Sequence, residues 1–391
     1  MVEPDSLVIE RKTLRGIENR AERLCREHRP PEVTNGLAPE AEGPYRPLPL
    51  RDNTRNMTTH DDVPADSVPD HPTILAALRL AARAPSVHNT QPWRWILDGT
   101  ILHLHTDADR LLTSTDPLGR QLVISCGAML HHVRTVFAHR GWHTDTVRIP
   151  NPQRPDQLAT IEFRPWPDPP EAVHSRALAI DRRRTDRLPF EEPERFTDIL
   201  PRMRMLSSPH EVELHVLDES ARPRLAAASA EAGALRGNDL LYQTELEWWA
   251  GHPDTPEGVP PSALVSDAEF ARVGVGRVFP SAPHSMRRAQ LEDRARLVVL
   301  STDGDSVTHW LRTGEALSAV LLECTAAGLA TCALTNITEL PTGRKLLTGL
   351  IPRPATPQVV IRVGTAPEDS EMIPPTPRRP LTDILTVVHH H

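Results

Sequence analysis

The sequence has few aromatic residues, few cysteines and no long apolar run, and each of these shortages excludes a class of protein or of site. Aromatic residues make up only 4% of the chain, so its core must consist mainly of Leu, Val, Ala and Ile. The four cysteines include no C-x-x-C pair and no zinc-finger spacing, and Cys126 and Cys324 are expected to be small core residues. No stretch approaches the roughly 20 apolar residues of a membrane-spanning helix, and no signal peptide is visible. These absences predict a cytoplasmic protein with no membrane partner.

The net charge and the proline content further limit the kinds of protein that this sequence can encode. The formal net charge of -8 argues against a nucleic-acid partner. The 391 residues, 39% of them apolar, suffice for two domains or one fused unit. The 40 prolines cluster in segments that are typical of linkers or wrapping arms; these segments are 30–72, 165–170 and 367–380.

Both ends of the chain are expected to lie outside the folded unit. Residues 1–69 lack sustained periodicity and predict a Pro-rich, largely disordered N-terminal extension, within which Met57 is an alternative start. Residues 387–391 are interpreted as a tail or the remnant of a purification tag.

The first periodic region, 70–168, predicts an α+β unit. A helical pattern begins near Asp70 and ends at Pro85. The segment 93–105 alternates around Asp98-Gly99 and predicts a β-hairpin. A long helix follows and ends near Gly141, with the apolar stripe Leu122, Cys126, Met129, Leu130, Val133 and Phe137. Two strands are expected after it, at 145–149 and 158–164.

The second region, 169–386, repeats this order. Its long helix ends near Gly328 and precedes strands at 330–335 and 358–363. One constant offset relates Gly127, Leu130, Val133 and Gly141 to Gly314, Leu317, Val320 and Gly328. The match predicts two related halves fused into an intramolecular pseudo-dimer, joined near 165–170. The insertion 236–290 is rich in Pro and Gly, and is interpreted either as a lid over a pocket or as a surface excursion.

The segment Ala84–Trp93 is the first candidate for chemistry. Pro85 and Pro92 constrain its two ends, and between them lie four polar side chains, Ser86, His88, Asn89 and Gln91. Such a loop can offer hydroxyl, amide and backbone groups to a polar heterocycle or a ribityl chain. A capped turn explains the same composition.

The segment Asp181–Arg187 is the second candidate and is expected to close the helix that begins near Ala172. Arginine forks bind phosphate oxygens through two hydrogen bonds, and Thr185 stands beside Arg183, Arg184 and Arg187. The alternative is a solvated, charged helix end.

Together these segments resemble the nitroreductase family of FMN enzymes, and within it the fused actinobacterial, Acg-type branch. Residues 85–93 match the family's Pro-Ser-x-x-Asn-x-Gln-Pro-Trp element, and 184–187 match its Arg-Ser-x-Arg element. The long-helix exit at 328–336 and the basic segment 378–380 match two weaker elements. The resemblance covers about 70–386 and implies a nitroreductase-like fold with central antiparallel-rich sheets flanked by long helices.

The resemblance also implies one FMN per chain, because each half carries only one of the two main elements. It assigns the phosphate to Arg183, Arg184, Arg187 and Arg379, with Arg378 in the same basic clamp. Thr185 would contact the phosphate end or the ribityl chain, and Ser86 and Asn89 the ribityl chain and ring edge. The full expected cofactor set is Ser86, His88, Asn89, Gln91, Arg183, Arg184, Thr185, Arg187, Ala330, Thr331, Thr335, Arg378 and Arg379. No acid, base or metal ion is required, since the flavin carries the hydride.

Two functions follow from the resemblance. One is an oxidoreductase that passes hydride from NAD(P)H through FMN to a nitro, quinone or conjugated acceptor. The other is a storage or sequestration protein whose lidded FMN turns over little. The chain would be either a monomer, since it is itself a pseudo-dimer, or a homodimer.

Three other classes have weaker support. Ser86 and His88 lack the nucleophile elbow and the acid partner of a hydrolase. His103 and His105 alternate on one strand, near His131-His132, but no third metal ligand is placed by spacing. A nucleic-acid role for the arginine run conflicts with the net charge.

Overall fold

The computed structural model describes residues 68–251, 257–280, 282, 285–368 and 373–390. Most of the expected N-terminal extension, Met57 and residues 252–256 of the insertion thus lie outside the described residues.

The first sheet has five strands and contains the predicted hairpin. The strands are β1 (Trp93–Asp98), β2 (Ile101–Thr106), β3 (Trp142–Arg148), β4 (Gln157–Pro165) and β9 (Leu385–Val388), in the order β3-β4-β2-β1-β9.

The hairpin between β1 and β2 turns where the sequence predicted. Gly99 has a φ of +58°, a left-handed conformation that glycine adopts without strain. Strand β9 then pairs in parallel with β1, matching Trp95 with Leu385. The sheet therefore includes Val387 and Val388, the first two residues of the segment interpreted as a tail.

The second sheet has four antiparallel strands in the order β5-β6-β8-β7. They are β5 (Glu213–Val216), β6 (Arg296–Thr302), β7 (Ala330–Leu334) and β8 (Thr356–Gly364). Strand β8 is buried on both faces: Val359 and Ile361 pack into one core cluster, and Val360 packs into another. This arrangement explains its unbroken apolar run.

Helices flank both sheets. They are α1 (His71–Ala81), α2 (Arg120–His139), α3 (Glu171–Arg182), α4 (Phe196–Ser207), α5 (Arg222–Gly237), α6 (Leu240–Trp249), α7 (Asp267–Val273), α8 (Val307–Ala326), α9 (Asn336–Glu339), α10 (Pro341–Thr348) and α11 (Leu381–Ile384). The insertion therefore contains two helices, α6 and α7, that its Pro/Gly-rich composition did not indicate. No helix among these described residues is both long and apolar enough to cross a bilayer.

The long helices α2 and α8 pack against each other at two glycines that the repeat predicted to be equivalent. A Cβ atom on Gly127 would lie 2.0 Å from the carbonyl oxygen of Leu311, and one on Gly314 would lie 2.0 Å from that of Ile124. The offset of 187 residues relates Gly127 to Gly314 and also Ile124 to Leu311. Each contact is thus the symmetry image of the other, as at the two-fold axis of a homodimer. The predicted pseudo-dimer of two α+β halves is confirmed.

Candidate functional site

A cleft of about 930 Å³, including the solvent at its mouth, lies between the two halves. Residues 85–88 form one wall, helix α2 a second, and the end of strand β7 a third. The insertion supplies the remaining side with Val265, Phe270, Val273, Gly276, Arg277 and Phe279. The size and the mixed polar and apolar lining are typical of a site for a small organic molecule.

The loop that forms the first wall is conformationally strained. His88, Asn89 and Gln91 have φ values of 46°, 57° and 51°, in the left-handed region that non-glycine residues seldom adopt. Two serines stabilise this backbone: the Ser86 hydroxyl accepts the Gln91 N–H at 3.0 Å, and the Ser125 hydroxyl accepts the Val87 N–H at 3.1 Å. Such strain concentrates at binding sites, where the surrounding structure maintains it.

His88 points a buried imidazole at the cleft. Its side chain lies edge-on to Phe279, with ring centroids 5.5 Å apart. Neither ring nitrogen has a hydrogen-bond partner among the described residues. Burial, together with the positive charges of Arg277 and Arg187, holds the pKa of His88 well below its usual range. The ring is therefore neutral and retains an unused donor and an unused acceptor.

Asn89 and Gln91 anchor the loop rather than line the cleft. The Asn89 amide donates to the carbonyl oxygens of Gly258 at 2.9 Å and of Pro377 at 3.1 Å. The Gln91 side-chain oxygen accepts the backbone N–H of Arg379 at 2.8 Å. These two residues, expected to contact the cofactor, instead tie the loop to the insertion and to the C-terminal segment.

Thr185 and Arg187 line the opposite side of the cleft, as the arginine element predicted. The Arg187 guanidinium lies 4.9 Å from the ring centroid of Phe279 and donates to the Ala263 carbonyl at 3.3 Å. No carboxylate among the described residues pairs with it. Burial lowers the pKa of Arg187, yet an arginine remains charged at neutral pH. The cleft thus contains a fixed positive charge.

A cluster of arginines adjoins this wall, and no carboxylate among the described residues pairs with Arg183 or Arg378. Arg183 and Arg378 both donate to the Arg83 carbonyl, at 3.4 and 3.0 Å. Burial and the neighbouring guanidiniums lower the pKa of Arg183 to about 10 and that of Arg378 to about 9. Asp181, a carboxylate beside the cluster, is largely exposed and pairs with Arg83. Converging positive charges of this kind bind a multiply charged anion.

The arginine cluster lies close to one end of the cleft. Arg378 donates to the Ala84 carbonyl at 3.3 Å, and Ala84 directly precedes Pro85, a residue of the cleft wall. Arg183 lies two residues before Thr185, which lines the opposite side of the cleft. An anion held by the cluster would therefore lie beside a ligand in the cleft.

Two arginines of the expected phosphate set have other partners. Arg379 forms a buried ion pair with Asp107 at 3.0 Å and donates to the Gln91 carbonyl. Arg184 donates to the backbone carbonyls of Ile373 and Asp181. The assignment of Arg379 to the phosphate stays a prediction, and in this geometry its guanidinium shares the Asp107 carboxylate with Arg94 and Arg110.

The strand wall begins later in the chain than expected. Ala330 and Thr331 start β7 and do not line the cleft, and the Thr331 carbonyl accepts the Asp186 N–H at 3.0 Å. The lining residues are instead Cys332, Ala333, Leu334 and Thr335. Of the thirteen expected residues, the structure brings Ser86, His88, Thr185, Arg187 and Thr335 into the cleft itself.

Sequence reasoning missed a buried polar network at the floor of the cleft. The Gln121 amide donates to Glu339 at 2.9 Å, and the Thr335 hydroxyl donates to Gln121 at 2.5 Å. Arg277 pairs with the same Glu339 and donates to the Tyr242 hydroxyl at 2.7 Å. Gln121 and Ser125 were detectable as polar residues one turn apart on an otherwise apolar helix, but Arg277 and Glu339 meet only in three dimensions.

The position in the second half that corresponds to the cleft wall is filled by a buried ionic cluster. The offset of 187 residues pairs Ala128, which lines the cleft, with Glu315. Glu315 is fully buried and pairs with Arg134 at 2.8 Å and Arg148 at 2.6 Å. Although burial alone would raise its pKa, the His210 imidazole 3.7 Å away and hydrogen bonds from Arg148 hold the pKa of Glu315 well below its usual range.

The histidines considered as metal ligands have other partners. His103 contacts Thr160 at 3.2 Å, and His105 contacts Asp156 at 2.9 Å. His131 contacts the Ser318 hydroxyl at 2.7 Å. Across the part of the chain that the structure describes, no three His, Cys, Asp or Glu side chains converge as a metal site would require.

Comparison with known proteins identifies relatives over most of the chain. No family model matches it. It is 47% identical over 315 residues to "Putative NAD(P)H nitroreductase acg" of Mycobacterium tuberculosis, an alignment covering 80% of this chain and 95% of the relative. It is 38% identical over 327 residues to a second putative NAD(P)H nitroreductase of that organism, covering 81% of this chain and 92% of the relative.

Among solved structures, a putative nitroreductase from Anabaena variabilis is similar with a TM-score of 0.45 and 9% identity, over 77% of this chain and 90% of that one. The FMN-dependent nitroreductase NfnB from Mycobacterium smegmatis has a TM-score of 0.35 and 16% identity, over 54% of this chain and 96% of that one. The identity to the curated relatives, sustained over nearly their full length, establishes that this chain belongs to the Acg-type nitroreductase family.

Proposed function

We propose that this chain binds one FMN in the cleft between its halves and acts as an FMN-dependent oxidoreductase. It would take hydride from NAD(P)H and pass it to a nitro, quinone or conjugated small-molecule acceptor. The observation that carries the proposal is the adjacency of the arginine cluster to a cleft that contains a neutral His88 and Arg187, which pairs with no carboxylate among the described residues. The names of its relatives support the same assignment. The cytoplasmic location stays a prediction.

The residues present fit this cofactor. Arg183 and Arg378 would hold the phosphate, because within the described part of the chain neither pairs with a carboxylate and the Arg183 Nε atom has no partner. Ser86 and Thr185, which line the cleft, would contact the ribityl chain. His88 and Arg187 would border the ring, where the unused imidazole nitrogens can donate and accept.

FMN, when bound, supplies the hydride chemistry. The chain supplies a positive charge beside the cofactor and side chains that cover it. Arg187 is a fixed positive charge in a partly dehydrated site, and such a charge favours the electron-rich form of any redox group beside it. Phe270, Phe279 and Val265 cover one side of the cleft and exclude water from it.

The expectation of one site per chain gains support from the filled position in the other half. Glu315, with Arg134 and Arg148, occupies the place that corresponds to the cleft wall. These side chains occupy the space in which a second cofactor would have to bind. The stoichiometry should therefore be one FMN per chain.

A storage function is the second candidate, favoured by the way in which the insertion is fastened over the cleft. The Glu245 carboxylate accepts the backbone N–H groups of Ser114 and Thr115, both at 2.9 Å. Arg110 forms a two-point ion pair with Glu257. These contacts hold the insertion against the first half, and a lid that opens seldom would restrict access of NAD(P)H to the ring.

Purification of the full chain and titration with FMN test the binding proposal. We expect a yellow protein with one FMN per chain, and at least tenfold weaker binding in the Arg183→Ala/Arg378→Ala variant. Arg164→Ala is the matched control, because this surface arginine pairs only with Asp145. A colourless chain that cannot be loaded would overturn both functions.

Anaerobic addition of NADPH or NADH then separates the two functions. Rapid bleaching of the bound flavin, followed by reoxidation on adding a quinone, would support the oxidoreductase. A flavin that stays yellow for hours would favour storage and contradict turnover with these donors.

A further inference from the structure

A second cavity lies directly behind the wall that the insertion presents to the cleft. It measures about 800 Å³, including the solvent at its mouth, and is lined by residues of helices α5 and α6 and by residues around Asn336. Arg277 and Phe279 line both spaces. Two side chains of the insertion therefore form the partition between the cleft and this second cavity.

The two partition side chains differ in how firmly they are held. Arg277 donates to the Tyr242 hydroxyl at 2.7 Å and pairs with Glu339, so its position is fixed by charged hydrogen bonds. The Phe279 ring has no hydrogen bond to lose: it contacts the His88 ring and the Arg187 guanidinium, and it packs against the apolar cluster Ala250, Val259, Ala263 and Leu264. Rotation of the Phe279 ring costs no hydrogen bond and would join the two spaces.

Two buried oxygen atoms in residues that line the second cavity have no partner. Ser229 is 1% exposed and Asn336 is 5% exposed, and neither the Ser229 hydroxyl nor the Asn336 side-chain oxygen is hydrogen-bonded within the described residues. The Asn336 nitrogen donates to the Gly276 carbonyl at 2.9 Å, which fixes the amide orientation and leaves the oxygen as the unused atom. Buried polar atoms of this kind are costly unless a ligand or water satisfies them.

The two cationic side chains that line the cavity are already paired, and the carboxylate of Glu247, which also lines it, is exposed to solvent. Arg236 pairs with Asp239 at 3.5 Å and stacks on Tyr242, and Arg277 pairs with Glu339. The remaining lining is largely apolar, with Leu246, Val278, Pro280 and Leu340. The chemistry of the lining therefore selects an uncharged, partly apolar ligand.

We propose that the second cavity binds a small neutral aromatic molecule that carries one N–H or O–H donor and one oxygen acceptor. The donor would satisfy the Asn336 oxygen, the Ser229 hydroxyl would bond the acceptor, and the ring would pack on the apolar lining. If the proposed function holds, the cavity is a waiting chamber for the acceptor substrate, separated from the cleft by the Phe279 ring. Ligand binding there does not itself require a flavin.

Benzamide is a suitable probe, because it has both groups and cannot be reduced or oxidised by a flavin. N,N-dimethylbenzamide is the matched ligand, since it keeps the ring and the carbonyl but lacks the donor. Saturation-transfer NMR and calorimetry on the full chain, before and after FMN addition, measure the affinity. Visible absorbance of the same samples reports FMN loading, so failure of the flavin proposal is read separately.

Three variants test the location. Ser229→Ala removes one hydrogen bond and should weaken benzamide binding about fivefold. Ser175→Ala, on a helix outside both cavities, should leave it unchanged. Gly233→Leu should abolish it by filling the cavity, since the neighbouring Val278 is 48% exposed and can move aside; FMN loading should persist.

Four results would overturn the proposal. They are absence of benzamide binding, equal affinity for the two amides, equal effects of Ser229→Ala and Ser175→Ala, and displacement of benzamide by FMN. The last result would place the probe in the cleft.

Discussion

Substitution of Gly127 by alanine tests the packing that joins the two halves. The new Cβ atom would lie 2.0 Å from the Leu311 oxygen and 2.9 Å from the Gly314 Cα atom. Carbon makes favourable nonbonded contacts only at about 3.5–4.0 Å. Since both neighbours are helix backbone and cannot rotate away, the helices themselves must separate.

The expected loss of stability follows from two opposing effects. Overpacking a core costs about 1–3 kcal/mol, and a clash between two backbones belongs at the upper end of that range. Alanine regains about 1 kcal/mol of helix propensity over glycine. We therefore expect Gly127→Ala to lower the free energy of unfolding by about 2 kcal/mol, measured by guanidinium denaturation followed by circular dichroism.

Two further variants make this measurement decisive. Gly314→Ala should cost the same to within about 0.5 kcal/mol, because its contact is the symmetry image of the first. Gly237→Ala is the control: it ends a helix where no atom lies within 4 Å of an added Cβ, so it should leave stability unchanged or slightly higher. A Gly127→Ala protein as stable as Gly237→Ala would refute the idea that these helices pack through glycine.

Three more predictions concern the cleft. Single replacement of Arg183 or Arg378 by alanine should weaken FMN binding at least fivefold and make the affinity less sensitive to salt. Fluorescence titration at two ionic strengths would measure both effects, and an unchanged salt response would contradict the assignment of these arginines to the phosphate. The folded-state pKa of His88 lies below its unfolded value of about 6.5, so the contribution of His88 to stability is complete above pH 6.5 and is lost as the pH falls. Relative to the His88→Asn variant, the flavin-free chain should therefore lose free energy of unfolding below pH 6.5, with a slope approaching 1.4 kcal/mol per pH unit. Parallel pH profiles of the two proteins would refute this. Phe279→Ala should speed flavin bleaching by NADPH, whereas Val278→Ala should not; equal rates would mean that the Phe279 ring does not limit access.

The sequence predicted the elements whose signals are local. The apolar stripes of the two long helices, the Asp98-Gly99 turn and the glycines at their ends each depend on neighbouring residues. The repeat even identified Gly127 and Gly314 as equivalents before their contact was known. Strand β9 was missed, because a four-residue segment gains its conformation from pairing with β1, nearly 300 residues earlier.

The candidate site was predictable only where side-chain type alone determines the outcome. The arginine-rich segment after a helix predicts an anion-binding site, and Arg183 and Arg187 place positive charge beside and within the cleft. Arg379 could not be distinguished from them in the sequence, because its partner Asp107 is 272 residues away. Asn89 and Gln91 are ambiguous for a similar reason, since their amides can bind a ligand or brace a loop, and only long-range contacts decide between these roles.

Fusion changes what a single substitution can do at the two symmetry-related positions, Ala128 and Glu315. In a homodimer one codon specifies both copies, so a residue that fills one cleft fills the other. In this chain the two positions are encoded separately, and one has kept a small side chain while the other holds a buried ionic cluster. The filled position is thereby free to serve as a rigid support between the halves, and its residues can change toward greater stability without altering the cleft.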